Sequence, residues 1–294
     1  MIGVREDSKE LFPEKTVDEF FEIDGETVKH VVASRRIFRF ERGGRHFYMK
    51  VHYGVGWGEI FKNLLQLKKP IIGAENEWRA IRAFNKPDVG IATTPLVAWG
   101  KQGWNPAKQR SFIVTDALDN TVDLEHWLPE LEKWPNRAER LRLKRAIIHR
   151  LGDIARRLHS SGMNHRDFYL CHFRLDVTKA APLPDVENFQ LYLMDLHRVE
   201  QRLSLPERWA VKDIAGLLYS ALFDSKGIIL NRSDIIRFID AYSDEGWRKA
   251  LVNHRDFLCK VVERVMRTYK KDIGKAAPLP SCLMQWYEKN SKRK

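Results

Sequence analysis

Two carboxylates and one lysine stand out for the chemistry their types allow. Asp167 closes the tripeptide His165-Arg166-Asp167, just after the small turn Ser161-Gly162-Met163-Asn164. Asp195 follows 28 residues later, near the end of the apolar run from Leu191 to Leu196. A carboxylate can orient a hydroxyl and accept its proton, and it is also a ligand for hard cations. Lys50 lies inside the alternating run Phe47-Tyr48-Met49-Lys50-Val51, and Glu75 and Glu77 follow in a charged segment further on. A fixed ammonium offsets phosphate charge, and a carboxylate can hold that ammonium in place.

The elements that must position these residues are partly visible in the sequence pattern. Residues 27 to 52 read as β: TVKHVVAS, RRIFRFE and HFYMKVH, with Arg42-Gly43-Gly44-Arg45 as a hairpin turn. Residues 58 to 69 read as a helix with Ile60, Phe61, Leu64, Leu65 and Leu67 close to one face. That face is expected to pack on the sheet, with contact to a membrane surface or acyl chain, helped by Lys62, Lys68 and Lys69, as the alternative. Pro70 and Gly73 interrupt, and residues 74 to 86 read as a second helix with Glu75 and Glu77 in its first turn. Two more strands are expected at 94–100 and 110–116. After Asp119 the pattern changes, and residues 121 to 162 read as helical. There Leu143, Ile147, Leu151, Ile154 and Leu158 share a helical period, and Gly162 is a natural stop. A short apolar strand is expected at 191–196, and from residue 207 onward the chain is again mostly helical. The order predicts an α+β chain with a small sheet lobe, residues 1–117, and a larger helical lobe, residues 118–294.

Composition narrows the function. With 44% hydrophobic residues in a 294-residue chain, a sizeable core can form. A formal net charge of +12, from 51 Lys and Arg against 39 Asp and Glu, points to an anionic partner. Three widely spaced cysteines, Cys171, Cys259 and Cys282, indicate neither a disulfide framework nor a zinc site, and a reducing compartment fits best. The charged N-terminal stretch has no apolar core of a secretory signal, and no run reaches membrane-spanning length. A cytoplasmic protein is expected, in contact with a membrane at most from that side.

The order of long helix, HRD loop, apolar strand and Asp195 resembles the catalytic half of protein kinases. That resemblance implies a catalytic loop built on Asp167 with His165 and Arg166, and Mg²⁺ held by Asp195. It also implies Lys50 on the phosphates of ATP, with Glu77 as its ion-pair partner and Glu75 as the alternative. Backbone groups from Thr115 through Asp116 and Ala117 to Leu118 would meet the adenine edge. A narrower likeness rests on FYMKVH, WGEIFKNLL, GAENEWRAI, GMNHRDFYLCHF, MDLHR and RWAVKDIAGLLYSAL. Together these segments, from about residue 35 to about residue 223, resemble the lipopolysaccharide core heptose kinase family, the Kdo/WaaP group. The resemblance implies a bilobal protein-kinase-like fold and ATP-dependent phosphorylation of an inner-core heptose or Kdo. It also implies work at the cytoplasmic face of the inner membrane, and it raises acyl carrier protein as a candidate partner.

The chain departs from the protein-kinase pattern at three points. No G-x-G-x-x-G loop precedes Lys50; Ala33-Ser34-Arg35-Arg36 is expected in its place, with arginines near phosphates. His172 stands where protein kinases have a metal-binding Asn, and imidazole is a poor ligand for hard Mg²⁺, which counts against it as a second metal ligand. His197 stands in place of the Gly of DFG. Both histidines resemble the family's own pattern.

Plainer readings exist for each residue. Lys50 alone could guard a sheet edge, and Asp195 alone could be a turn residue. Asp213 is either a charge at a helix N-terminus or, by the resemblance, a support beneath the catalytic loop. A second NHRDF, at residues 253–257, reads as a helix capped by Asn253 with no apolar strand and Asp after it. KAAPLP also recurs, at 179–184 and 275–280, but its offset from NHRDF differs between the copies, which argues against a duplicated domain. Cys171 has no Cys/His/Asn arrangement around it and is expected as a small buried apolar residue. Arg198, Arg202, Arg208 and Lys212 favour an anionic acceptor over the cationic substrates of aminoglycoside or choline kinases. The remaining alternatives are another small-molecule acceptor on the same fold and a non-catalytic pseudokinase scaffold. No nucleic-acid-binding motif is present, and the terminal KNSKRK reads as a solvated tail.

Overall fold

The structure, a computed structural model, describes residues 1–32, 34–66, 70–178 and 183–292, with the backbone alone for 29–32. Ala33 of the expected phosphate loop, Leu67, Lys68 and Lys69 of the first helix, residues 179–182 of KAAPLP and the last two residues of the tail lie outside the described residues. The chain divides into two compact units. One comprises Met1–Asp88, Thr93–Asp119 and Asp195–Val199; the other comprises Val89–Ala92, Asn120–Met194 and Glu200–Lys294.

The first unit is built on strands β1 (Ile2–Val4), β2 (Glu26–Val32), β3 (Arg35–Arg42), β4 (Arg45–His52), β5 (Leu96–Gln102) and β6 (Arg110–Asp116), with helices α1 (Val17–Phe21), α2 (Gly56–Leu65) and α3 (Glu75–Phe84). The strands form one sheet in the order β1-β5-β6-β4-β3-β2, antiparallel throughout. Gly43 and Gly44 both have positive φ, 58° and 69°, which is what a tight two-residue hairpin between β3 and β4 requires. The period of two along β4 puts Phe47, Met49 and Val51 into an apolar core with Phe20, Phe38 and Phe112. Phe20 stacks on Phe112 with ring centroids 4.1 Å apart. Tyr48, Lys50 and His52 alternate with that set and so belong to the other face of the sheet.

α3 buries Trp78, Ile81 and Phe84 along one stripe and carries the buried Glu77 in its first turn. α2 corrects the expectation drawn from its sequence: only Ile60 is buried, while Phe61, Leu64 and Leu65 are exposed. The apolar stripe of α2 therefore does not pack on the sheet.

The second unit is mostly helical. It contains β7 (Thr121–Asp123), α4 (Leu124–Glu132), α5 (Arg137–Ser160), β8 (Met163–Asn164), β9 (Phe173–Asp176), β10 (Leu191–Leu193), β11 (Glu200–Gln201), α6 (Glu207–Tyr219), α7 (Arg232–Tyr242), α8 (Trp247–Asn253), α9 (Arg255–Ile273) and α10 (Ser281–Ser291). β10, β9 and β7 form a small antiparallel sheet, and β11 pairs with β8. The stretch 121–162 is thus not continuously helical. Residues 121–123 pair with β9, Asp123 caps α4 by accepting from the His126 N–H, and Asn136 caps α5 by accepting from the Ala138 and Glu139 N–H groups.

α5 buries Leu143, Ile147, Leu151, Ile154 and Leu158, the period seen in the sequence, and ends at Ser160, two residues before Gly162. It packs on α7, and Gly152 permits the close approach: a Cβ there would lie 2.7 Å from that of Ala241. α8 and α9 also correct an expectation. Asn253 is the last residue of α8, not the cap of α9, and its side-chain amide donates to Glu245 instead. Among the described residues no helix is long and apolar enough to cross a membrane.

Candidate active-site residues

In the sheet unit, β4 carries Lys50 and α3 carries Glu77. The Lys50 ammonium donates to Glu77 Oε1 at 2.7 Å and lies 3.7 Å from Asp195 Oδ1. Glu75 is used differently: it takes Lys101 and Arg79, each at 2.6 Å. Both glutamates lie in the first turn of α3, but residues two apart on a helix do not share a face, so their partners differ.

Asp195 follows β10 and has φ +58°. The His197 Nδ1–H donates to its Oδ1 at 2.6 Å, fixing the direction of the carboxylate. The single turn from Leu196 to Arg198 is tied to α3 by the Asn76 side-chain amide, which donates to the carbonyls of His197 and Val199 at 2.8 and 2.7 Å. Asn76 is a positioning residue that nothing in the sequence pattern marks.

His52 ends β4, opposite Arg35 of β3. Burial pushes its pKa down to about 3, and the charges of Arg35, Lys50 and His197 push the same way, so the ring is neutral amid cations. Of the two arginines expected near phosphates, Arg36 is engaged with Asp24 and Thr27, at 2.6 and 3.2 Å. Arg35 is the one beside His52.

Thr115 and Asp116 close β6. The Asp116 N–H donates to the Pro95 carbonyl and the Ala117 N–H to the His46 carbonyl, at 3.0 and 2.9 Å. The Asp116 carboxylate pairs with Arg5 and Arg45 at 2.8 and 2.6 Å.

In the helical unit the HRD tripeptide follows β8. The carboxylate of Asp213, fully buried in the middle of α6, accepts from the His165 N–H at 2.6 Å and from the Arg166 N–H at 2.9 Å. The reading of Asp213 as an N-terminal helix charge falls, because the residue sits in the second turn of α6 and its oxygens are committed to the loop. Arg166 has φ +75°; it and Asp195 are the only non-glycine residues with positive φ among the described residues. Such backbone costs about 1–3 kcal/mol and persists only where neighbours over-determine it. Here the neighbours are visible: Asp213 on the backbone, and Glu200 on the Arg166 guanidinium at 2.9 Å.

His165 Nε2–H donates to the carbonyl of Met194, and His172 Nδ1–H donates to the carbonyl of Asp167, at 2.8 and 2.7 Å. A carbonyl only accepts, so each ring nitrogen named must carry the proton. His172 therefore braces the backbone of Asp167. The Asp167 side chain itself is only half-buried.

Arg166, Arg202 and Arg208 surround Trp209, with guanidinium carbons 5.3 to 5.5 Å from its ring. Arg202 also bonds Asn164 and Glu200. Part of the basic cluster is thus internal to the fold. Burial pushes the Cys171 thiol up to about 11, which makes it unfit as a nucleophile. The same unit holds a cavity of about 190 Å³, with Leu128, Ile147, Leu151, Leu217 and Phe238 among its lining residues.

Among the described residues no cluster of three or more His, Cys, Asp or Glu is placed to hold a metal ion. One fixed carboxylate, that of Asp195, is what a Mg²⁺ shared with substrate phosphates and water asks of a protein.

A profile of the lipopolysaccharide kinase (Kdo/WaaP) family matches residues 19–242. The chain belongs to this family. Among relatives, the lipopolysaccharide core heptose(I) kinase WaaP of Pseudomonas aeruginosa is 40% identical over 237 residues, 81% of this chain and 84% of the relative. The protein of the same name from Escherichia coli K12 is 36% identical over 237 residues, covering 80% and 84%. A solved structure, "WaaP in complex with acyl carrier protein", matches with a TM-score of 0.72 at 31% identity, over 92% of this chain and 99% of that one. The α+β, kinase-like fold expected from the sequence is the fold observed.

Proposed function

We propose that this member of the family transfers the γ-phosphate of ATP to a heptose hydroxyl of the lipopolysaccharide inner core. The observation that carries this reading is the Lys50 ammonium, held at 2.7 Å by Glu77 and 3.7 Å from Asp195. A buried glutamate holding a lysine on the face of the sheet away from its apolar core is costly to build, and phosphate binding gives it a purpose.

In this reading Asp167 orients the heptose hydroxyl. As the hydroxyl oxygen bonds to the γ-phosphorus, its proton passes to the Asp167 carboxylate, and the bond from phosphorus to the β–γ bridging oxygen breaks to release ADP. Lys50 offsets phosphate charge, Arg35 serves in place of a glycine-rich loop, and backbone carbonyls from Thr115 through Asp116 and Ala117 receive the adenine amino group, the Asp116 and Ala117 N–H groups being spent on Pro95 and His46. Asp195 is the protein's ligand for Mg²⁺, which when bound supplies further charge neutralisation on the phosphates. His165 and Arg166 act through the loop: their N–H groups on Asp213 set where Asp167 points. His172 serves as a brace for Asp167, not as a metal ligand. Residues 1–117 take the nucleotide role and 118–294 the catalytic and acceptor roles.

ATP supply places the reaction on the cytoplasmic side, and a lipid-linked acceptor makes the enzyme peripheral to the inner membrane. Acyl carrier protein, in complex with the solved relative, is the partner we propose, and the apolar cavity of the helical unit has room for part of an acyl chain.

The test is incubation of the purified chain with Mg²⁺, γ-labelled ATP and core lipopolysaccharide lacking heptose phosphate, followed by mass analysis of the released core. A single added phosphate on heptose is expected. ATP binding without transfer to this acceptor points to another acceptor on the same fold, and no ATP binding points to a scaffold.

A further inference from the structure

α2 turns its apolar side to solvent. Trp57, Phe61, Leu64 and Leu65 recur at the spacing of one helical face, and they are 48%, 56%, 51% and 85% exposed. Trp57 stacks on Phe61 with centroids 5.6 Å apart. Ile60 alone anchors the helix to the unit beneath. A helix serving only as scaffold has the opposite arrangement, and contiguous exposed apolar surface marks a site of interaction.

The patch extends past the helix. The Gly56 N–H donates to the Ala107 carbonyl at 3.0 Å, tying the start of α2 to the loop between β5 and β6. That loop carries Trp104, 92% exposed, and Tyr53 just before α2 is exposed too. Indole rings pair an apolar body with one polar N–H, which suits them to the level of lipid headgroups.

Charge completes the pattern. By sequence, residues 53–69 hold Lys62, Lys68 and Lys69 against Glu59, and residues 101–110 hold Lys101, Lys108 and Arg110 with no acidic residue. Glu75 and Asp18 reach Lys101 and Arg110 at 2.6 and 2.5 Å, and a positive balance remains. Apolar side chains flanked by lysines, with tryptophan at the margin, are the composition of a helix lying in a bilayer interface; each signal alone gives weak binding and the two together give stable binding.

We propose that α2 and the β5–β6 loop form a membrane-docking surface that seats Trp57, Phe61, Leu64, Leu65 and Trp104 among the headgroups of an anionic bilayer. The surface deepens the proposed function, since a lipid-linked acceptor is met at a bilayer, but vesicle binding can be read without any catalysis.

The test is flotation of the full chain with phosphatidylglycerol-containing vesicles and with pure phosphatidylcholine vesicles, for wild type and for Phe61→Glu/Leu65→Glu. Lys226→Gln/Lys249→Gln, on the other unit, makes the same change of −2 in net charge and is the control. Wild type is expected to float with the anionic vesicles, less so at high salt, and weakly with phosphatidylcholine. The α2 variant is expected to lose about ten-fold or more in vesicle affinity, the control far less. The α2 variant is also expected to keep wild-type transfer to water-soluble, deacylated core oligosaccharide while losing transfer to vesicle-embedded lipopolysaccharide. Wild type that stays unbound, or an α2 variant that floats like wild type, overturns the proposal. So does a variant that keeps vesicle binding and instead loses binding to purified acyl carrier protein. Flotation as expected, with no transfer to either acceptor, removes the heptose-kinase reading and leaves the docking surface standing.

Discussion

The pentapeptide Asn-His-Arg-Asp-Phe occurs at 164–168 and again at 253–257, and the fold treats the two copies differently. In the first, Asn164 pairs across to Glu200, His165 and Phe168 are buried, and Arg166 takes left-handed backbone. In the second, Asn253 ends α8 and Asp256 sits in the first turn of α9 with its side chain 77% exposed. There Arg255 and Asp256 pair with each other at 3.1 Å, and His254 reaches Glu245 at 2.9 Å. Identical residues thus become a rigid loop in one place and an ordinary helix junction in the other. What separates them is a carboxylate far away in sequence, Asp213, whose oxygens fix two N–H groups of the first copy.

The largest test of that contrast is a matched pair. Asp167→Asn is expected to lower phosphate transfer by about 10² to 10⁴, the range for a lost general base. Asp256→Asn is expected to leave the rate within about twofold, as surface changes do. Initial rates with labelled ATP decide it, and equal losses in both variants would erase the distinction between the copies.

Asp213 comes next. Asp213→Ala leaves two buried N–H groups without their acceptor and is expected to cost about 3 kcal/mol of stability. Because Asp213 acts through the loop, its mark is on turnover more than on ATP affinity, and Asp213→Asn, which keeps one acceptor oxygen, is expected to recover part of the turnover. Urea midpoints together with kcat and KM for ATP check this. A fall in stability with unchanged kcat in the molecules still folded would make Asp213 a packing residue only.

A third test moves the contrast between buried and exposed settings to the sheet unit. His52 has its pKa pushed down to about 3, from an ordinary 6.5, by burial first and by neighbouring cations second. Between those values the unfolded chain binds a proton that the folded chain does not. Stability from this group is therefore complete above about pH 6.5 and falls as pH drops toward about 3, by at most about 1.4 kcal/mol per unit. His52→Gln is expected to flatten the acid side of the stability profile between pH 4 and 6.5, read from denaturant midpoints. An unchanged slope would mean the ring protonates in place.

How much of this was legible in the sequence depended on range. The alternation in β4, the Gly43-Gly44 turn and the long period of α5 are local signals, and they located Lys50 and the helix before the HRD loop. Glu77 over Glu75 was legible only as a preference, because both lie in one helical turn and packing decides which faces Lys50. β7 was not legible: three residues become a strand only by pairing with β9, about 50 residues on. α2 misled because amphipathic spacing tells which residues share a face but not which way the face turns. The role of Asp213 could be named from the family resemblance, yet its two hydrogen bonds span 47 and 48 residues. Asn76 and Trp209 lie inside segments of the family likeness, GAENEWRAI and RWAVKDIAGLLYSAL, but nothing there gives either a role, since their work is to hold other side chains and backbone.

The smallest expected effect bears most directly on what holds the first copy in shape. Asn164 and Asn253 are the same residue in the same pentapeptide. Asn164 is fully buried and its Oδ1 accepts from Arg202 at 2.7 Å; Asn253 is exposed and its amide donates to Glu245 at the same distance. A buried partner removed leaves Arg202 with a donor to satisfy elsewhere, so Asn164→Ala is expected to cost about 1–2 kcal/mol, and Asn253→Ala about 0.5 kcal/mol or less. Urea midpoints of the two single variants measure the gap, and the double variant should show the sum, since the sites share no partner. Equal costs would mean that the Asn164–Arg202 contact does not hold the loop. In that event Arg202 and Glu200 would be passengers, and the left-handed backbone of Arg166 would rest on the two hydrogen bonds to Asp213, which the second copy lacks.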